Sequence, residues 1–266
     1  MTKKYSQLLK KMKEKGKVAI AFSGGIDSTL VAYAAKQAGI DALLITLTSP
    51  LFPSYDAKKA KEIARELGIR HIFISHSLDA NIAKNDVKRC YYCKMHEAKI
   101  WKEVAKKNGF NIVADGANFD DLKDERRPGT KASSKEGIWH PLAEVKITKE
   151  DVRNIAKKIG LKIWNKPSNA CLASRIAYGE EITEKKLQMV EEAENFLRNI
   201  SPQIRVRLHR SIARIEVPVE KMNKVLKAKK EIVAHLKKLG FVYITLDLEG
   251  YRSGSMHEEM MGLEKI

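Results

Sequence analysis

The sequence predicts an α/β protein, with a doubly wound parallel-sheet domain followed by a smaller C-terminal α+β domain. Up to about residue 165, helical patterns alternate with short, continuous apolar runs. This alternation is typical of parallel strands that helices cover on both faces. Beyond that point the order becomes helix, strand, strand, helix, strand, which is typical of α+β folds.

The first domain is expected to alternate four helices with four strands. Glycines end three of the helices, at Gly39, Gly68 and Gly109. Three of the strands run into polar or glycine-bearing sequence, and ligands of parallel sheets bind at those carboxyl ends. The predicted helices are 1–15, 28–38, 54–67 and 94–108, and the predicted strands are 18–22, 42–47, 71–75 and 111–114.

The second domain is expected to begin after a linker near residues 165–168, which gives domain ranges of 1–167 and 168–266. The predicted helices of this domain are 183–200 and 219–239, and the predicted strands are 204–208, 212–217 and 241–247.

The composition is that of a folded, soluble protein. Of the 266 residues, 44% are hydrophobic and 31% are charged, which excludes disordered, collagen-like and coiled-coil classes. No apolar run is long enough to span a bilayer, and the basic N-terminus lacks the apolar core of a signal peptide. We therefore expect a cytoplasmic protein with no membrane partner. The net charge is +17, mostly lysine on predicted helix faces of the first domain.

A glycine-rich loop, Ser23-Gly24-Gly25-Ile26-Asp27-Ser28, follows the first buried strand and opens a helix. Glycines permit a tight turn, and helix N-terminal amides with serine hydroxyls suit phosphate oxygens. The loop matches neither of the two common glycine-rich phosphate motifs, and it contains no lysine. Thr46, near the end of the second strand, is included among the residues predicted to bind the nucleotide.

This loop resembles the S-G-G-x-D-S signature of the PP-loop ATP pyrophosphatase superfamily. The resemblance implies that the loop holds the pyrophosphate half of ATP while the α-phosphate adenylates a substrate. It also implies that Asp27 is catalytic. The loop residues implied in ATP binding are Ser23, Gly24, Gly25, Asp27 and Ser28.

A second polar loop, Asp115-Gly116-Ala117-Asn118-Phe119-Asp120-Asp121, follows the fourth predicted strand. Mg²⁺ prefers oxygen ligands that it shares with ATP phosphates, and relatives of the superfamily carry a similar D-G-x-N segment here. We therefore expect Asp115, Asn118 and Asp121 to bind the nucleotide with Mg²⁺. An Asn/Asp-rich turn without a ligand is the structural alternative.

Three later segments resemble the LarE family, the ATP-dependent sulfur transferases of nickel-pincer nucleotide cofactor biosynthesis. The segments are KPSNACLASR at 166–175, RVRLH at 205–209 and TLDLEGYRSGS at 245–255, and the similarity covers essentially the whole chain. In that family a pyridinium biscarboxylate mononucleotide is adenylated on a carboxylate, and sulfur then replaces AMP. The resemblance implies that this chain performs the same two-step sulfur transfer, which a second round completes on the other carboxylate.

The three cysteines form a C-x-x-C pair, Cys90 and Cys93, and a single Cys171 in the family-specific segment. In single-cysteine members the cysteine matching Cys171 is itself the sulfur donor. The added pair resembles three-cysteine members, which implies a 4Fe–4S cluster held by all three thiolates, with sulfide or another sulfur donor as partner. Cys171 and Arg175 are then catalytic, with Arg175 offsetting developing charge. The alternatives are a redox pair, a zinc site with His96 and unreactive buried cysteines.

The second domain is expected to bind the phosphate of the substrate. Arg205, Arg207 and His209 alternate along one predicted strand, which places them on one face of the sheet. A polar outer face without a ligand is the structural alternative. The residues expected to bind the substrate are Arg205, Arg207, Arg252, Ser253 and Ser255.

Other functions fit parts of the sequence. A cluster-dependent tRNA thiolase of the same superfamily would suit the positive charge, but the second domain is nearly neutral and no dedicated RNA-binding segment is present. A PP-loop amide-forming ligase leaves the cysteines unexplained, and a basic RNA-binding module needs neither the loop nor the cysteines. We expect a mononucleotide substrate, no nucleic-acid partner and a homo-oligomer.

Overall fold

The computed structural model describes residues 2–124, 127–166, 169–252 and 254–256. The chain divides into two compact units, one formed by Met1–Asp79 and Lys88–Asn169, the other by Ala80–Val87 and Ala170–Ile266. The boundary predicted from the sequence falls on Pro167 and Ser168, which lie outside the described residues, and the functions assigned to the two domains stay predictions. No helix in the described ranges has the length and apolar character that crossing a membrane requires.

The elements are numbered here in chain order. The helices are α1 (Lys3–Lys15), α2 (Ile26–Ala38), α3 (Ser54–Leu67), α4 (Ala80–Ala83), α5 (Arg89–Lys107), α6 (Phe119–Lys123), α7 (Pro128–Lys135), α8 (Pro141–Glu144), α9 (Lys149–Lys158), α10 (Glu184–Leu197), α11 (Met222–Lys227) and α12 (Lys229–Lys238), with two 3-10 helices at Leu172–Arg175 and Val219–Lys221. The strands are β1 (Lys17–Ala21), β2 (Asp41–Thr48), β3 (Arg70–Ser75), β4 (Val113–Ala114), β5 (Arg205–His209), β6 (Ile212–Glu216) and β7 (Tyr243–Leu246).

The first unit is built on a four-stranded parallel sheet in the order β3-β2-β1-β4. Alternate residues of the central strands enter two separate apolar cores. Ile20 and Leu44 pack with α1, α2, α3 and α9, whereas Ala19 and Leu43 pack with α5. Both faces of the sheet are therefore covered, and the predicted α/β class is confirmed. All four predicted strands form, although β4 has only two residues.

Helix α5 begins at Arg89, five residues earlier than predicted, so the C-x-x-C pair lies within a helix. Four helices between residues 119 and 158 were not predicted, because the segment offers short runs with polar caps rather than long apolar periods. Capping residues and prolines determine where these four helices begin. Asn118 and Thr148 each begin a helix with a capping box, and Pro128 and Pro141 stand at the first helical positions.

The second unit contains a three-stranded sheet in the order β5-β6-β7, in which β5 pairs antiparallel and β7 parallel with β6. Helix α10 packs on β5. The short segment Ala80–Val87 belongs to this unit because its hydrogen bonds lead there. The buried Asn85 donates to the carbonyl groups of Ala177 and Glu180 at 2.7 and 2.8 Å, and Ile182 N–H donates to Ala83 at 2.8 Å.

The prediction of a single helix over 219–239 is wrong, because Val219–Lys221 forms a 3-10 helix and the remaining segment is divided. The structure divides it at Ala228, whose backbone leaves the helical region at φ −90° and ψ 10°. The break lets Val225 of α11 and Leu236 of α12 both be buried, while Leu226 and Val233 of the predicted apolar stripe are exposed. No glycine or proline marks the break, so the sequence pattern could not reveal it.

Gly24→Ala is expected to lower the free energy of unfolding more than Gly39→Ala. Both glycines have a left-handed φ, +66° and +69°, so both substitutions incur a backbone cost of about 1 kcal/mol. A Cβ at Gly24 would also lie 2.8 Å from the Cα of Ala60 in α3, whereas nothing lies within 4 Å of one at Gly39. This overpacking adds about 1–3 kcal/mol. Urea denaturation measures the difference, and equal losses would contradict the close packing of the loop on α3.

Candidate functional site

The glycine-rich loop joins the carboxyl end of β1 to the start of α2. Its two serines are hydrogen-bonded, with Ser23 Oγ and Ser28 Oγ 3.2 Å apart. Ser28 Oγ also donates to the Gly25 carbonyl at 3.2 Å. The N-cap of α2 is Gly25, which has no side chain to cap the helix. The first-turn N–H groups are thus not capped by the N-cap residue, an arrangement suited to an anion.

The second polar loop packs directly on this helix start. A Cβ at Gly116 would lie 2.7 Å from the backbone nitrogen of Ser28, so only glycine permits this approach. Asn118 Nδ2 donates to Asp27 Oδ1 at 3.3 Å across the same contact. The structure therefore brings together the two loops that the sequence singled out separately.

The predicted oxygen ligands of this second loop also shape it. Asn118 Oδ1 accepts from the N–H groups of Asp120 and Asp121, and Asp121 Oδ2 accepts from Asn118 N–H, which completes the cap of α6. Burial raises the pKa of Asp121, although the nearby Arg127 opposes this shift. Asp115 Oδ1 accepts from Ala117 N–H at 2.9 Å and lies 2.7 Å from His140 Nδ1.

Two lysines from distant parts of the chain reach the glycine-rich loop. Lys149, the first residue of α9, forms an ion pair with Asp27. Lys166 Nζ donates to the Gly24 carbonyl at 3.4 Å and to Asp56 Oδ1 at 3.1 Å. The sequence analysis missed both, because they follow the loop by 122 and 142 residues and no local motif links them to it.

Thr46 is buried beneath the loop rather than exposed at its surface. Its hydroxyl donates to the Phe22 carbonyl at 2.5 Å and lies 2.7 Å from His71 Nε2. Burial lowers the pKa of His71 to about 4, so this imidazole is neutral near pH 7. The threonine thus fixes the last residue before the loop, and nucleotide binding by Thr46 stays a prediction.

All three cysteines are described, and none takes part in a disulfide. Cys90 is exposed and Cys93 is half-buried near the start of α5, where a spacing of three puts them on one helix face. Cys93 Sγ lies 3.6 Å from Glu97 Oε1. Cys171 is an exposed residue of the second unit, at the start of a 3-10 helix. Within the described ranges, no group of three or more His, Cys, Asp or Glu side chains is arranged to hold a metal ion.

Arg175 is fully buried four residues after Cys171. Its guanidinium forms a bidentate salt bridge with Glu194, at 2.8 and 3.1 Å, and donates to the Cys171 carbonyl at 3.1 Å. Glu194 opposes the effect of burial and raises the pKa of Arg175. Arg175 therefore fixes the backbone beside Cys171.

The arginines of β5 do not form the half-exposed polar face of a sheet. Arg205 and Arg207 are both buried, as are Val206 and Leu208 on the other face. Arg207 binds Glu216 at 2.8 Å and the Ser174 carbonyl at 2.9 Å. Burial, and next the charge of Arg175, lower the pKa of Arg205 to about 10.

The last predicted substrate residues fall at two places. Ser255 joins Arg207, since its hydroxyl donates to Glu216 at 2.7 Å and lies 3.3 Å from the Arg207 guanidinium. Arg252 instead binds Asp247 and Glu249 at 3.3 and 2.9 Å. Ser253 lies outside the described residues.

Comparisons with known proteins agree with this architecture. Residues 16–171 match a family of unknown function (DUF7411). The chain is 37% identical to the pyridinium-3,5-bisthiocarboxylic acid mononucleotide synthase of Lactiplantibacillus plantarum, over 97% of this chain and 95% of that protein. The chain belongs to the LarE family.

Two further relatives are similar to this LarE family member over most of its length. An uncharacterized protein of Synechocystis is 41% identical over 92% of this chain and 93% of its own length. The tRNA-specific 2-thiouridylase MnmA 1 of Clostridium tetani is 28% identical over 71% of this chain and 62% of its own length. The resemblance found in the sequence is confirmed, and this LarE family member is an ATP-dependent sulfurtransferase.

The Arg175–Glu194 pair is expected to show strong coupling. Arg175→Ala leaves a buried carboxylate without this partner, which lowers the free energy of unfolding by about 3–5 kcal/mol. The Arg175→Ala/Glu194→Ala double variant is expected to lose less than the sum of the two single variants, measured by urea denaturation. Lys186→Ala is the control, because its ion pair with Glu180 is partly exposed and contributes about 1 kcal/mol or less. Additive losses would contradict a coupled pair.

Proposed function

We propose that this chain uses ATP to adenylate a carboxylate of pyridinium-3,5-biscarboxylate mononucleotide and then replaces AMP with sulfur. The observation that carries the proposal is the match to a pyridinium-3,5-bisthiocarboxylic acid mononucleotide synthase over nearly the whole length of both chains. The meeting of the two polar loops at the carboxyl edge of the parallel sheet supports it, because this is where such sheets bind nucleotides.

ATP would bind with its β- and γ-phosphates on Ser23–Ser28. The hydroxyls of Ser23 and Ser28 and the first-turn amides of α2 supply hydrogen-bond donors. The second loop offers carboxylate and amide oxygens at Asp115, Asn118 and Asp121, the donor type that Mg²⁺ takes together with ATP phosphates, and Asn118 contacts Asp27. Bound there, Mg²⁺ would offset phosphate charge.

In the first step, a carboxylate oxygen of the substrate attacks the α-phosphorus of ATP. The bond from that phosphorus to the bridging oxygen breaks, and pyrophosphate leaves with the electron pair. In the second step, a sulfur nucleophile attacks the carbonyl carbon of the acyl adenylate, and AMP leaves. Exclusion of water protects the adenylate from hydrolysis between the steps. Repetition on the other carboxylate gives the dithio product.

The cysteines suit a 4Fe–4S cluster by their donor chemistry. Cys90 and Cys93 share one helix face as thiols, and Cys171 supplies a third exposed thiol. With three cysteine ligands, such a cluster keeps one iron available to carry sulfide. The buried Arg175, held by Glu194, would position the Cys171 backbone and favour negative charge nearby.

The phosphate of the mononucleotide would bind at Arg205 and Arg207, with Ser255 beside them and with Arg252 and Ser253. Burial first, and next the charge of Arg175, depress the pKa of Arg205, which favours an anionic partner there. A bound anion would offset both effects. A homo-oligomeric assembly stays a prediction.

The function is tested by incubating the chain anaerobically with ATP, Mg²⁺, sulfide and the biscarboxylate mononucleotide. We expect pyrophosphate release together with a product in which sulfur has replaced oxygen, detected by mass spectrometry. Ser28→Ala is expected to slow pyrophosphate release about 100-fold, since it removes a donor from the loop. Ser6→Ala on the exposed face of α1 is the control. Sulfur incorporation into tRNA, with none into the mononucleotide, would instead favour the thiolase.

The sulfur source is tested by iron and sulfide analysis of anaerobically purified protein. We expect one 4Fe–4S cluster per chain, lost in Cys90→Ala, Cys93→Ala and Cys171→Ala and retained in Tyr92→Phe, which alters a neighbour on α5. A metal-free protein whose Cys171 loses its sulfur during turnover would overturn the cluster and indicate that Cys171 is consumed as the donor.

A further inference from the structure

The two loops of the candidate ATP site contain acidic residues but no basic ones. Ser23–Ser28 contains Asp27, and the segment 115–121 contains three more aspartates, while neither contains lysine or arginine. ATP is itself strongly anionic. Cations from other parts of the chain are therefore needed to balance its phosphates.

Lys149 places an ammonium group at this loop. Its Nζ is bound to Asp27, whose other carboxylate oxygen accepts from Asn118. The Lys149 side chain is 35% exposed and that of Asp27 is 23% exposed, so the pair is open to solvent. A pair this exposed adds little to folding stability. Stability alone thus gives a weak reason for the contact.

The base of the Lys149 side chain is held firmly. Thr148 and Asp151 close the capping box of α9, and Lys149 N–H donates to Asp120 Oδ2 at 2.8 Å. Asp120 belongs to the second polar loop, so that loop fixes the backbone from which the ammonium extends. A long side chain on a fixed base can move from Asp27 to an adjacent phosphate without any backbone movement.

We propose that Lys149 binds the β- and γ-phosphates of ATP and stabilises the departing pyrophosphate. This inference rests on the proposed function and adds a residue to it. Lys149 takes the role that a lysine inside the loop plays in other phosphate-binding motifs, but it comes from the start of a helix 122 residues away. When the bond between the α-phosphorus and the bridging oxygen breaks, negative charge grows on pyrophosphate, and the ammonium offsets it.

The test measures binding rather than turnover. The affinities of ATP, pyrophosphate and AMP, each with Mg²⁺, are determined by isothermal titration calorimetry for the full chain and its variants. Lys149→Ala is expected to weaken ATP and pyrophosphate binding about 10- to 100-fold and to leave AMP binding nearly unchanged. Lys149→Arg is expected to recover part of the loss, because it retains the charge.

Lys158→Ala is the matched control. Lys158 is the last residue of the same helix and is exposed, so its removal changes the net charge equally without touching the loop. AMP binding by Lys149→Ala shows that this variant is folded. Unchanged pyrophosphate affinity in Lys149→Ala would overturn the inference while leaving the proposed function intact. An unsubstituted chain that binds neither ATP nor pyrophosphate would overturn both.

Chemical labelling gives an independent readout of the same contact. Pyrophosphate is expected to protect the Lys149 amine from acetic anhydride, as measured by mass spectrometry of peptides, whereas AMP is not. Lys158 reports the unprotected rate in the same sample. Equal labelling of Lys149 with and without pyrophosphate would contradict the proposed contact.

Discussion

The close backbone approach of three elements at one edge of the parallel sheet is the constraint on which the first unit depends. Side chains are excluded at both contacts, since a Cβ at Gly24 would meet α3 and a Cβ at Gly116 would meet the first turn of α2. This approach is what brings Asn118 within hydrogen-bond distance of Asp27. The start of α2 and the carboxylate-rich loop come together because two residues have no side chains.

The features of this site that could be predicted from the sequence are those formed by short, continuous segments of the chain. A buried strand followed by SGGIDS and a helix is a continuous pattern, and parallel strands place their carboxyl ends together. Lys149 and Lys166 were not predictable in the same way. Each reaches the loop through the fold. In the sequence Lys149 looks like an ordinary lysine in a chain that has many, and Lys166 begins the LarE-like segment at 166–175, which gives it no place at this loop. Their role depends on which carboxylates the fold places beside them.

The second unit shows a different limit of sequence patterns. Alternation along β5 correctly separates Arg205 and Arg207 from Val206 and Leu208, but it cannot tell which elements cover the arginine face. In the structure, Ser255 and the carboxylate of Glu216 meet Arg207 there. Burial of the arginines, rather than their spacing, therefore distinguishes this place from a solvated polar face.

The two units combine acidic and basic residues in opposite ways. The net charge of the whole chain therefore says little about the ligands of either unit. In the first unit, aspartates surround the proposed phosphate site and distant lysines supply the cations. In the second unit, the buried Arg175 and Arg207 are held by Glu194 and Glu216, and the partly exposed Arg214 is held by Asp247. Unpaired buried arginines would be costly, so carboxylates are required to hold them. The surplus lysines on the helix faces contribute to the total charge but to neither arrangement. A few cations that carboxylates keep in place, rather than the charge of the rest of the surface, are thus what an anionic ligand would meet in either unit.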